Sequence, residues 1–63
     1  MKAQDMTDAD LHKAAHNMEN YGGGFAGAIA LAYFRADSNN RERIIHAFPD
    51  LFERFAPRQG WEQ

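Results

Sequence analysis

Apolar residues Leu11, Ala14, Ala15 and Met18 recur at helical spacing and predict a first helix from roughly Asp8 to Asn20. Thr7 or Asp8 supplies its N-cap, and Asp8 and Asp10 place negative charge at the positive end of the helix dipole. Gly22-Gly23-Gly24 then reads as a helix stop and chain reversal. The second segment, Phe25 to Ala36, is the most apolar of the chain. Its large residues Phe25, Ile29 and Tyr33 recur every four positions, with Leu31 and Phe34 beside them and small residues in most other places. Asp37 or Ser38 caps a third helix from Asn39 to Phe48, whose apolar positions are Ile44, Ile45, Ala47 and Phe48. Pro49 disfavours helical geometry at Phe48 and suits the first position of a new helix. A kink or a short break is expected there, leaving open one helix or two. Leu51, Phe52 and Phe55 follow, and Pro57 ends the pattern.

These segments predict an all-α domain over residues 1–63, with three to four short helices in a small bundle or hairpin. Residues 1–6 and 57–63 read as mobile tails. Composition agrees: eleven alanines stand against no valine, one threonine and three isoleucines. Alanine costs no side-chain entropy in a helix, whereas β-branched residues pack best on a pleated surface. A helix that is apolar on nearly every face is normally covered on nearly every face. Two short neighbours cannot cover Phe25 to Ala36, so the bundle is expected to be completed by dimerisation. Phe25, Gly27, Ile29, Ala30, Tyr33 and Phe34 are the candidate seam. The pairs Gly23 and Gly27, Ala26 and Ala30, and Ala28 and Ala32 would admit a close neighbour. They fit internal packing and a dimer seam equally well.

Charge and cysteine narrow the function classes. The net charge is −2, without the cationic excess that non-specific nucleic-acid binding needs. No cysteine is present, so neither a disulfide nor a thiolate zinc site can form. No apolar run of about 18 residues exists to span a membrane, and the first residues lack a signal-peptide core. The expected compartment is the cytoplasm.

Candidate chemistry is sparse. His12 and His16 stand at i, i+4, a spacing that suits two imidazoles on one metal, with Glu19 and His46 as further donors. Four ligands are not evident in the pattern, and both histidines are read as residues of a wet face, with no metal and no cofactor. Ser38 is the only serine and sits where a cap belongs, and so short a helical chain leaves little room for a pocket of about 300 Å³. No catalytic residue is assigned. Phe48, Phe52 and Phe55, with Leu51 beside them, read first as core. Phe48 and Leu51 also flank the Pro49 break, where side chains can splay outward as anchors. With Arg41, Arg43 and Trp61 they form the candidate partner-binding set. Asn39, Asn40, Arg41 and Arg43 open the third helix as a DNA-recognition helix would. Glu42 interrupts that cluster.

Gly24-Phe25, Ala32 through Ser38, Asn40-Arg41, Ile44 and Ala47 through Leu51 resemble small proteins encoded by temperate phages and prophages of Gram-negative bacteria. The likeness spans roughly residues 21–55 and rests mostly on packing and capping residues. It implies a non-enzymatic accessory protein in the bacterial cytoplasm, binding a host protein and modulating it. The expected state is a homodimer. The alternatives are a small DNA-binding regulator using Asn39 to Phe48, and a minor component of a larger assembly.

Overall fold

A computed structural model describes residues 2–57. After a 3-10 turn at Ala3–Asp5, four α-helices follow: α1 (Asp8–Tyr21), α2 (Gly23–Arg35), α3 (Ser38–Ala47) and α4 (Pro49–Arg54). The all-α expectation holds, and the break at Pro49 resolves into two helices. Phe48 leaves helical geometry at φ −132°, ψ 53°, and Pro49 opens α4.

Each boundary has a local cause. Thr7 caps α1 through a reciprocal box: its Oγ1 accepts from the Asp10 amide at 3.1 Å, and its own amide donates to Asp10 Oδ2 at 3.2 Å. At the other end the Gly22 amide donates to the Met18 carbonyl. A Cβ at Gly22 would lie 2.5 Å from that carbonyl oxygen and 2.6 Å from the Ala26 Cβ, so only glycine fits. Gly23 turns the chain at φ +79°, the left-handed region where side chains are strained. Two glycines therefore fold α2 back along α1. Asp37, in extended conformation, accepts from the Asn40 amide at 2.8 Å and starts α3.

The core lies between α1, α2 and α4. Leu11, Ala14, Ala15 and Met18 of α1 meet Ala26, Ala30 and Tyr33 of α2 and Leu51, Phe52, Phe55 and Ala56 of the C-terminal segment. Ala26 and Ala30 settle one of the small-residue pairs: they face inward and bring α2 close to α1. Residues 2–6 correct the expectation of a mobile lead-in. Ala3 and Met6 are buried, and the Ala3 amide donates to Glu53 Oε2 at 3.0 Å, tying the turn to α4. Pro57 is likewise buried rather than part of a free tail, while Met1 and residues 58–63 lie outside the described residues. The molecule spans 31 × 26 × 16 Å, and its thin axis holds about two helix layers at 8–10 Å spacing. Every helix of so thin a slab keeps an outer face.

Candidate interaction surface

Projected at 100° per residue, α2 divides cleanly. Ala26, Ala30 and Tyr33 cluster on the inner side. Gly24, Phe25, Ala28, Leu31, Ala32 and Arg35 occupy an outer arc of about 120° and are all exposed. Phe25 is 63% exposed and Leu31 45%. Arg35 carries the only charge on that arc. Phe48 extends it sideways: half-buried at the α3–α4 junction, its ring meets Phe25 edge-on at 5.7 Å between centroids.

The seam residues expected from sequence split between these sides. Phe25 is outer, and Gly27, Ile29 and Phe34 are half-buried at the margins. Ala30 and Tyr33 are corrected: both are sealed within the chain's own core and cannot line an external seam. Ala28, Leu31, Ala32 and Gly24 are the positions that face outward instead. The all-round apolarity of this segment was the signal for them, but the pattern of large residues alone did not show which side faced out.

The candidate anchors also separate. Leu51 is corrected, since it points into the core at 7% exposure rather than splaying at the break. Proline at the first position of α4 lets that helix start at once, so its Leu51 face is committed inward. Arg41 is half-buried and engaged: its Nε donates to the Tyr33 carbonyl at 3.1 Å, and its guanidinium carbon lies 5.0 Å from the Tyr33 ring centroid. It closes the end of α2 against α3. Arg43 is exposed, its Nη1 donating to Asn40 Oδ1 at 3.1 Å. Trp61 lies outside the described residues.

His12 and His16 are exposed as expected, yet they are not simply solvated. Their rings stand 5.1 Å apart, and both lie against Phe34, at 5.1 and 4.7 Å. The pair shields the half-buried edge of Phe34. Among the described residues no group of three or more His, Cys, Asp or Glu is placed to hold a metal. Burial pushes the Tyr33 phenol above its ordinary value; the Arg41 guanidinium partly offsets this and the Asp8 carboxylate adds to it.

An open groove of about 720 Å³ runs beside the N-terminal turn, larger than the sequence suggested, lined in part by Lys2, Met6, Glu42, Ile45, His46 and Glu53. The Glu53 carboxylate there is already engaged by the Ala3 amide. No described helix is long and apolar enough to cross a membrane. No protein-family model, curated protein or solved structure matches the chain.

Proposed function

We propose that the chain is a non-enzymatic accessory protein of phage type that acts by protein–protein contact in the bacterial cytoplasm, modulating a host factor. The observation that carries the contact reading is the outer face of α2. It is an exposed arc of Phe25, Ala28, Leu31 and Ala32, broadened by Phe48 and charged only at its Arg35 end. Contiguous apolar surface on a small chain is the usual mark of an interaction site, and aromatic residues carry a disproportionate share of binding energy. The phage and host terms rest on the resemblance of residues 21–55.

DNA reading through α3 draws less support. Arg41 is spent on Tyr33, and Arg43 on Asn40, leaving Asn39 and a net charge of −2 to meet a polyanion. The test compares the full chain with Phe25→Glu, checked by circular dichroism for retained fold. Self-association and capture of proteins from a Gram-negative lysate are measured on both, with titration of any purified capture. The reading predicts that Phe25→Glu loses at least one of these contacts. It fails if both contacts are the same for the two chains.

A further inference from the structure

We infer that His12 and His16 form an open two-histidine chelate for an exchangeable divalent transition-metal ion of the class that prefers imidazole. The inference goes beyond the contact reading and does not depend on it.

The two residues stand at i, i+4 on α1, where side chains share one helix face. That spacing is common, and the placement of the rings is more selective. The lone pair of an imidazole nitrogen lies in the ring plane, so an ion shared by two imidazoles sits where their planes cross. Parallel stacked rings have no such line. Here the planes cross at 74°. The separation fits as well. An ion stands about 2.0–2.1 Å from each nitrogen, and each nitrogen about 1.1 Å from its ring centre. For ligand angles from square to tetrahedral, the two ring centroids then fall about 4.5–5.2 Å apart. The observed distance is 5.1 Å.

Phe34 adds an independent observation. Its half-buried ring lies 5.1 Å from His12 and 4.7 Å from His16. Both imidazoles rest on this one support, so they are gathered before an ion arrives and less freedom is lost on binding.

The surroundings suit a cation. Asp8 stands four positions before His12 and Glu19 three after His16, and both are exposed on the same side of α1. Lys13 is turned about 100° away from His12 around the helix. Arg41, which lines the groove beside His12, is engaged by the Tyr33 carbonyl. Among the described residues no third ligand joins the pair. Water therefore fills the other positions, and the ion stays exchangeable, unlike that of a closed four-ligand structural site. Two imidazoles select zinc, nickel or copper over calcium and magnesium, which take oxygen ligands.

The test titrates the untagged full chain with zinc chloride, and separately with nickel chloride, in isothermal calorimetry. His12→Gln and His16→Gln, both at exposed positions and checked for fold by circular dichroism, should each weaken binding about a hundredfold. The second donor of a chelate acts at high effective concentration, and either variant removes that advantage. His46→Gln on α3 should bind as wild type does, and calcium chloride should give no heat of binding. In proton NMR, zinc should shift the imidazole resonances of His12 and His16 together and leave those of His46 in place. A wild type that binds less than about tenfold more tightly than either single variant overturns the inference, because the two histidines then act separately. An equal loss in His46→Gln overturns it too, since the ion would then be held elsewhere.

Discussion

The six-residue α4 turns Leu51 and Phe52 inward and is followed at once by buried Phe55 and Ala56, whereas the thirteen-residue α2 buries only Ala26, Ala30 and Tyr33. By composition α2 is the more apolar of the two, yet α4 delivers the larger side chains to the core. The difference comes from how each is held. α4 is tied twice near its C-terminal end, where the Ala3 amide donates to Glu53 and Asn17 Nδ2 donates to the Phe55 carbonyl at 3.0 Å. Those bonds and the Pro49 start fix its rotation. α2 lies along α1 in a slab two helices thick, and a helix with a neighbour on one side cannot hide its whole circumference. Segment hydrophobicity therefore marks where apolar surface is made, and packing decides whether the chain itself uses it.

The sharpest way to break this comparison is to cut one large aromatic from each region. Phe52→Ala should cost about 3–5 kcal/mol, because the ring is fully buried and its loss leaves a cavity in the core. That exceeds what so short a chain can readily lose, so the variant should be unfolded by circular dichroism at room temperature. Phe25→Ala should move the midpoint of urea unfolding only slightly under dilute conditions. Equal losses would mean that α2 is as deeply packed as α4.

Asn17 comes next in size. Asn17→Ala removes a buried hydrogen bond to the Phe55 carbonyl and should cost about 1–3 kcal/mol. Native-state hydrogen exchange should then show the α4 amides opening before those of α1 and α2. If protection falls uniformly, the bond is not what holds α4 in place.

Arg41→Ala removes a charged donor to the Tyr33 carbonyl and a guanidinium from the Tyr33 ring, for about 1–2 kcal/mol, the site being half-exposed. Lysine should recover little of it, lacking the planar group. A loss of partner binding with unchanged stability would return Arg41 to the interaction surface.

A smaller effect follows from the raised phenol of Tyr33. The unfolded chain releases that proton first, so above about pH 10 it holds fewer protons than the fold, and stability drops with rising pH. The contribution is whole below that range and fades as pH climbs through the folded value. Tyr33→Phe should flatten the alkaline limb of a pH–stability profile. An unchanged limb would assign the loss to other groups.

Much of this fold could be read from the chain before its structure was seen. The Thr7 cap, the glycine reversal, the Asp37 cap and the Pro49 break are local events, decided by residues within a turn of one another. The exposed face of α2 was only half legible: apolar residues on every side of the helix announced surplus surface, but Ala30 and Tyr33 could not be told from Ala28 and Leu31 without knowing where α1 would lie. Leu51 was misplaced for the same reason, and the contact of Arg41 with Tyr33 was not foreseen. Their roles depend on partners at long sequence distance, and the Asn17 to Phe55 bond, 38 positions apart, left no pattern in the sequence at all.

The smallest effect separates the two sides of α2 themselves. Gly27 stands in mid-helix with a Cβ site that meets nothing of this chain within 4 Å. Glycine at such a position costs about 0.5–1 kcal/mol relative to alanine, through the freedom it loses on folding. Gly27→Ala should therefore stabilise the dilute chain, raising Tm by several degrees. Ala30→Gly, on the inner side, should lower it by more than the same propensity difference, because it also opens space against α1. The concentration dependence then reports on what lies outside. If the gain at Gly27 is present in dilute solution but shrinks as the chain is concentrated, the added methyl meets another molecule, and the open site belongs to a contact surface. If it persists undiminished, Gly27 lies clear of any contact, and whatever binds the outer side of α2 is confined to the exposed arc from Gly24 to Arg35.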